Sequence, residues 1–322
     1  MATEEEEQIH DVLIVGAGPC GFAVAARLRE HTPSALFTDD EHNRYHWIAK
    51  HATRATIKNR KTGALRRPPS VTDERGGLSM LVLDSSGTDW MVKWNAHFDA
   101  LEIKHLRSPM FFHPDPQDRD GLLAFAHGQG RACECVEIGG CVGQEISKHK
   151  RKKRIKNKCE HGHQRPPLEI NERDREDYYT PGTQLFRDYC DCVAGRYGLC
   201  KGLIRQEILQ DIRYCEENGI FTASTNVGMH RARAVVLAVG AGNSVSMPAP
   251  FPEESCECAY HAFQCPLPCQ NVSGKTSIIK RNNVLVIGGG LTSAQVVDRA
   301  IRHGIGHTKA WHLIRGNLKG KH

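Results

Sequence analysis

Gly16, Gly18 and Gly21 have the Gly-x-Gly-x-x-Gly spacing, with Pro19 inside the same turn. The chemistry open to such a stretch is recognition of a pyrophosphate by backbone N–H groups at a helix start, without a charged side chain. Gly16 permits the tight turn, Gly18 lets the backbone meet the phosphates, and Gly21 lets helix and strand pack closely. That chemistry needs a strand before the glycines and a helix after them. Val12 to Val15 is a short apolar run and Phe22 to Leu28 is alanine-rich, as the motif requires. The next apolar run, Ala35 to Thr38, ends at Asp39, the expected acceptor for ribose hydroxyls.

A lone motif of this kind is a weak sign, and a second one decides more. Val284 to Ile287 leads into Gly288-Gly289-Gly290-Leu291-Thr292-Ser293, and Ala294 to Ile301 continues as a helix. Gly288, Gly290, Thr292 and Ser293 form this second binding set, with Ser293 in the place of the third glycine. The following strand, Ala310 to Ile314, ends at Arg315 rather than at an acid. A guanidinium there suits a 2′-phosphate and favours NADPH over NADH. Two dinucleotide motifs in one chain imply a flavin site and a nicotinamide site that exchange hydride. The expected cofactors are therefore FAD and NADPH. Ala234 to Val239 reads as a buried strand running into Gly240, where a glycine allows close backbone approach to the first ligand.

The elements between the motifs are legible in part. Thr183 to Tyr197 has helical periodicity, with Leu185, Phe186, Tyr189, Cys190 and Val193 on its apolar face and Pro181-Gly182 before it. Gly202 to Thr225 suggests a hairpin turning at Asn218-Gly219. Leu78 to Pro114 holds Trp90, Trp94, Phe98, Phe111 and Phe112, read as core packing beside the first strand–helix unit. His42 to Arg75 is polar, with loop and short helix expected, and Pro248 to Pro268 reads as a connection.

Composition narrows the class. The chain has 322 residues, enough for two domains. No apolar run reaches membrane length, and the acidic start, Met1 to Gln8, lacks the apolar core of a secretory signal. The net charge of +6 is local: Lys148 to Lys158 carries eight basic residues, leaving 35 Lys and Arg against 37 Asp and Glu elsewhere. This excludes a general nucleic-acid-binding face. The block reads as a solvated loop, with a nuclear address as its second reading. Thirteen cysteines fit an intracellular protein, and none forms a Cys-x-x-Cys pair. Cys256, Cys258, His261, Cys265 and Cys269 have poor spacing for zinc, so no metal is expected. Ser273-Gly274-Lys275-Thr276 fails as a phosphate loop because Cys269 stands where a glycine is needed.

These residues resemble the FAD- and NADPH-dependent monooxygenases that include the ornithine and lysine N-hydroxylases. Within that class they look most similar to the relatives named oxidative-stress-induced growth inhibitors. The resemblance runs from Asp11 to Lys321. Its carriers are Gly16-x-Gly18-x-x-Gly21, the segment Met91 to Pro109 ending Leu106-Arg107-Ser108-Pro109, and Pro181-x-x-x-Leu185-Phe186-x-x-Tyr189. Ala238-Val239-Gly240 stands for the family's Ala-Thr-Gly, and His261-Ala262-Phe263 for the entry to its NADPH domain. Gly288-x-Gly290-x-Thr292-x-x-Gln295 stands for Gly-x-Gly-x-Ser-x-x-Glu. The resemblance places Met91 beside the flavin, in a Met-Val pair where the family has Met-Gln. It also sets His97 at the position of a substrate-holding lysine, which argues against ornithine or lysine as substrate. Family members continue beyond the second motif, so the chain is expected to be C-terminally truncated, with a homo-oligomer able to supply the missing layer.

The expected fold is α/β: a doubly wound parallel-sheet FAD-binding domain with a small β-hairpin layer, plus the start of an NADPH-binding domain. Residues 1–265 are assigned to the first, with 146–167 a basic flexible insertion, 266–280 to a linker, and 281–322 to the partial second domain. The expected function is FAD-dependent, NADPH-using oxygenation of a small organic molecule at a soft nucleophile such as an amine or sulfide. No catalytic side chain is assigned. The alternative is a truncated, non-catalytic relative that binds a nucleotide or a partner. A cytoplasmic location is expected, with a nuclear import receptor as partner if Lys148 to Lys156 is an address.

Overall fold

A computed structural model gives the architecture. It describes residues 8–31, 78–142, 172–199, 202–240, 259–264, 284–303 and 310–313, with residue 170 and scattered positions between 34 and 66. The strands are β1 (Ile9–Val15), β2 (Ile57–Lys58), β3 (Leu65–Arg66), β4 (Met80–Asp84), β5 (Val136–Glu137), β6 (Tyr179–Thr180), β7 (Ile204–Gln206), β8 (Leu209–Cys215), β9 (Ile220–Thr225), β10 (Met229–Leu237), β11 (Val284–Ile287) and β12 (Ala310–Leu313). The helices are α1 (Pro19–Arg29), α2 (Val92–Ala100), α3 (Gly121–Gly128), α4 (Thr183–Arg196) and α5 (Leu291–Arg302). The chain forms two compact units, Met1–Met91 with Lys104–Gly240, and Val92–Ile103 with Ala241–His322.

The first unit is built on a six-stranded sheet in the order β7-β4-β1-β10-β9-β8. β7, β4, β1 and β10 run parallel, whereas β9 and β8 are antiparallel. The sheet is therefore mixed rather than purely parallel. The expected hairpin is present, and with β10 it becomes a three-stranded meander. Ala223, Ala232, Leu209 and Ile212 of this meander pack on Leu13, Leu81 and Leu83 of the parallel strands. The opposite face of β1 receives α1, whose Gly21 lies against the Ile14 side chain. Burial on both faces explains why β1 and β4 read as continuous apolar runs rather than alternating ones.

Two strand expectations are corrected. The strand adjacent to β1 is β4, with Val12 to Val15 paired to Met80 to Leu83. Ser34, Ala35, Phe37 and Thr38 belong to no strand: Phe37 closes a turn onto the Ser34 carbonyl, and Thr38 bonds the Glu41 carboxylate. Their polar local bonds replace ladder bonds. The other correction concerns β10, which starts five residues earlier than Ala234 and has Ala232 as its one buried residue, with none of Ala234 to Leu237 buried and Leu237 61% exposed.

α4 matches its sequence reading, with Leu185, Phe186, Tyr189, Cys190 and Val193 all buried. It is anchored by Asp115, whose side chain is fully buried. The Asp115 carboxylate accepts from Tyr189 Oη at 3.1 Å, from Tyr197 Oη at 2.8 Å, from the Gln117 N–H at 3.0 Å and from the Arg196 guanidinium. Tyr197 also reaches Glu30, the C-cap of α1, at 3.0 Å. One carboxylate thus ties the ends of α1 and α4 to the α3 loop. Trp90 packs on Phe22 of α1 with ring centroids 5.2 Å apart, as core packing beside the first strand–helix unit requires.

In the second unit β11 and β12 pair in parallel, and α5 covers one face. α2 joins it from between the two sequence segments of the first unit. Leu101 clusters with Val286, Val296 and Ala300, and Ile103, Ala262 and Phe263 pack around them. Trp94 and Phe98 belong to this unit, where they stack on each other. Glu102, in a left-handed turn at φ 51°, receives Arg299 at 3.1 Å, Arg302 at 3.1 Å and His303 at 2.7 Å. Burial raises its pKa, but the His303 and Arg299 hydrogen bonds outweigh that and hold the carboxyl below its usual range. The outer face of the two-stranded sheet carries exposed Leu285, Ile287 and Leu313.

Asp115→Ala leaves the buried Tyr189 hydroxyl without its Asp115 acceptor and takes one acceptor each from Tyr197 and Arg196, which keep Glu30 and Gln117. The substitution is expected to cost about 1–3 kcal/mol of stability, the penalty for an unsatisfied buried donor, read as a lower urea midpoint.

A buried cluster in the first unit gives a pH dependence. Glu207 accepts from Thr225 at 2.6 Å and contacts His230 Nε2 at 2.7 Å, and it is 6% exposed. Burial pushes Glu207 up, but Thr225 and His230 outweigh it, so its pKa lies below the usual carboxylate range. Burial, then His230 and Arg205, hold the pKa of His10 below its ordinary 6.5. In both cases the unfolded chain binds protons first, so stability falls as pH falls. The His10 share is full above pH 6.5 and declines below it. The Glu207 share is full above its ordinary value of 4.5 and is lost below that. His10→Gln removes the upper step in a plot of urea midpoint against pH, and a plot unchanged by the substitution would contradict the assignment.

Candidate functional site

The first candidate site is the turn from β1 into α1. Gly16 has φ 109°, and a Cβ there would collide with the Ala238 carbonyl. A Cβ on Gly21 would collide with the Gly16 carbonyl. Both positions admit glycine alone, because backbone meets backbone. Gly18 differs, since a Cβ there would meet nothing within 4 Å. It is the N-cap of α1, bonded by no side chain, with Pro19 opening the helix. The open space in front of a helix start, with its N–H groups unclaimed by a capping side chain, fits a pyrophosphate.

Neighbouring strands hold the turn. Gly16 N–H donates to the Leu83 carbonyl at 2.7 Å, and Ala238 N–H to the Val15 carbonyl at 2.8 Å. The Asp84 carboxylate, at the end of β4, accepts from Ala17 N–H at 2.7 Å through one oxygen and from Ser86 N–H at 2.7 Å through the other. Met91 N–H returns to the Ala17 carbonyl at 2.8 Å. Met91 is buried and adopts φ 66°, an uncommon state for a methionine. Gly240, at φ 63°, lies two residues past the carbonyl that faces Gly16. The structure thus brings Gly16, Gly18, Pro19, Gly21, Met91 and Gly240 to one turn and its flanks. Asp39 lies outside the described residues.

Sequence reasoning missed Asp84. Its signal is present: Met80-Leu81-Val82-Leu83 is a clean apolar run ending in an acid. The distance from the glycines hides it, because the acid normally follows them by about 20 residues.

The second candidate site is the turn from β11 into α5. Gly288 has φ 142°, and its N–H donates to the Leu313 carbonyl at 3.0 Å. Ser293, 8% exposed, donates to the Gly290 carbonyl at 2.6 Å. His312 Nε2 lies 2.6 Å from the Gly288 carbonyl and 3.0 Å from Ser293 Oγ. The Ser293 proton serves Gly290, so His312 Nε2 carries the proton that closes the network. Gly290 is the N-cap of α5, again with no capping side chain, and Thr292 follows half-buried in the first turn. His312 was not evident in the sequence, since its role depends on strand pairing. Arg315 lies outside the described residues, as do Lys148 to Lys158 and Cys256, Cys258, Cys265 and Cys269. Among the described residues no cluster of His, Cys, Asp and Glu could hold a metal, and no helix is long and apolar enough to cross a membrane.

Two glycine turns, each feeding an open helix start from a parallel strand, belong to an α/β fold with a mixed six-stranded sheet. Residues 176–319 match the family model described as L-lysine 6-monooxygenase/L-ornithine 5-monooxygenase. That segment is somewhat less than half of the chain. No curated protein matches. Among solved structures, the chain is similar to FAD-bound DfoA, the desferrioxamine biosynthetic pathway cadaverine monooxygenase of Erwinia amylovora. That match has 17% identity and a TM-score of 0.45, covering 92% of this chain and 48% of that one. The cyclohexanone monooxygenase of Rhodococcus sp. Phi1 bound to NADP+ matches at 16% identity and a TM-score of 0.42, covering 97% and 39%. The bacillithiol disulfide reductase Bdr of Staphylococcus aureus matches at 14% identity and a TM-score of 0.45, covering 98% and 59%. The chain thus spans 39% to 59% of the length of these proteins.

The contrast between glycines gives a paired expectation. Gly18→Val folds, because its side chain enters open space, but loses the dinucleotide. Gly21→Ala loses the fold, because its Cβ meets a carbonyl. Circular dichroism and flavin content measured on both variants would check this, and a folded Gly18→Val protein with full flavin occupancy contradicts the site.

Proposed function

We propose that the first unit binds FAD, that the second contributes to an NADPH site, and that the protein is an NADPH-using flavin monooxygenase acting on a small organic molecule. The observation that carries this reading is the open α1 start at Gly18, framed by Asp84 and the β10 end. The α1 N–H groups take the pyrophosphate, and Gly18 allows their approach. Asp84 is the ribose acceptor in place of Asp39. Its present bond to Ala17 N–H holds the carboxylate against the turn the ribose would face. In the second unit Gly288, Gly290 and Thr292 offer the matching α5 start, and Ser293 with His312 fixes its shape. Arg315 supplies the guanidinium for the 2′-phosphate. FAD, when bound, supplies hydride acceptance and oxygen activation, and the chain's own residues bind, orient and keep water away. The substrate is a soft nucleophile, an amine or sulfide.

The purified full chain, after incubation with FAD, is expected to be yellow, with a flavin absorption band that NADPH bleaches faster than NADH in stopped-flow. Asp84→Ala weakens FAD retention. Arg315→Ala narrows the nucleotide preference, by about 1.5–3 kcal/mol where the contact is desolvated. A chain that stays colourless after reconstitution overturns the flavin assignment, and equal use of both nucleotides overturns that of Arg315.

A further inference from the structure

Among the described residues, β8 is the last strand of the six-stranded sheet and is hydrogen-bonded only to β9. All but two of its seven residues are exposed. The direction of its backbone groups follows from two bonds. Gly219 N–H donates to the Cys215 carbonyl, and Asn226 N–H to the Ile208 carbonyl on the far side of a bulge between Leu209 and Asp211 that resets the alternation. Cys215, Arg213 and Asp211 pair with Ile220, Thr222 and Ser224. Their backbone groups therefore face β9, while those of Ile212 and Tyr214 face the free edge. An edge of this kind is a template for another strand.

The side chains make that template self-complementary. Asp211 and Arg213 sit on one face, side-chain exposures 51% and 84%, and already bond each other at 2.8 Å. Let two copies of β8 run antiparallel with Ile212 opposite Ile212. Asp211 of each copy then stands opposite Arg213 of the other, in non-hydrogen-bonded pairs where side chains approach most closely. Shifting the register by two residues in either direction sets Asp211 against Asp211 or Arg213 against Arg213. Those alternatives are repulsive, so charge selects one register. We propose that β8 is a homodimer edge, at which a second copy of this chain pairs antiparallel about Ile212 and extends the sheet across a two-fold axis. The contact is short, and the dimer is accordingly weak and concentration-dependent.

The test uses two variants whose altered side chains lie in solvent. Asp211→Arg makes the edge doubly positive, and Arg213→Asp makes it doubly negative. Sedimentation equilibrium of the full chain is expected to show wild type moving from 35.9 kDa toward twice that mass as concentration rises. Each variant alone stays monomeric at the concentrations where wild type dimerises, with unchanged circular dichroism. Mixed in equal amounts, the two variants restore the dimer, because every Arg then opposes an Asp of the other chain. An intramolecular role for the pair predicts no such rescue. Wild type that remains monomeric throughout, variants that dimerise like wild type, or a mixture that stays monomeric would each overturn the proposal.

Discussion

The turn between β1 and α1 depends on backbone approaching backbone. The Gly16 Cα faces the Ala238 carbonyl, and the Gly21 Cα faces the Gly16 carbonyl, with no room for a methyl group at either point. Everything near the first site inherits its position from this contact. β10 must reach the turn at Ala238, so its last residues run past the buried part of the sheet, and Leu237 and Val239 are exposed there. β4 must end level with the turn, which puts Asp84 on Ala17. The next segment must fold back on the same turn, which puts Met91 on the Ala17 carbonyl at a cost in backbone conformation.

Burial on both faces of the parallel strands supplies the rigidity that this geometry needs. Leu13, Leu81 and Leu83 lie under the meander, and Ile14 lies under α1. The helical layer is then fixed by polar bonds rather than by apolar contact alone. Asp115 has no exposed side-chain surface and collects donors from α4 and from the residue that follows it. Gly121, at the start of α3, has no Cβ because the Tyr189 hydroxyl occupies that space. Removing the charge and keeping the tyrosines would leave the Tyr189 hydroxyl buried without its Asp115 acceptor, so this network specifies one helix arrangement more than it adds net stability.

The parts of the fold that were legible in the sequence are those governed by local pattern. Both glycine turns, α4 with its five apolar residues, and the hairpin at Asn218-Gly219 follow from periodicity, turn chemistry and glycine spacing. The parts that were not legible depend on pairing between distant segments. Ala35 to Thr38 has the composition of a strand and the right distance from the glycines, yet β4 takes its place beside β1. Met80 to Leu83 are four consecutive buried apolar residues, whereas Ala35 to Thr38 offers three apolar residues before Thr38. Asp84, His312 and Asp115 act only once strands or helices are docked, and no local pattern announces them. The aromatic stretch from Leu78 to Pro114 was read as one piece, but Trp90 packs on α1 while Trp94 and Phe98 lie in the other unit.

That division gives the second unit an unusual dependence. α2 comes from the middle of the sequence of the first unit, since Met91 and Lys104 on either side of it belong there. Its contribution is not incidental. Leu101 is part of the core made by Val286, Val296 and Ala300, and Glu102 gathers Arg299, Arg302 and His303 from the end of α5. Arg299 is 7% exposed, so Glu102 is a partner that helps make its burial tolerable. The helix that opens the second glycine turn is therefore clamped at its far end by a residue far away in sequence. Closing so long a loop costs entropy that only the docked contacts return. β11, α5 and β12 alone bury one face of a two-stranded sheet and leave Leu285, Ile287 and Leu313 in solvent. Such a fragment has too small a core to persist by itself. The second turn thus exists as a formed site only after residues 92–103 have left the first unit in sequence and joined the second in space.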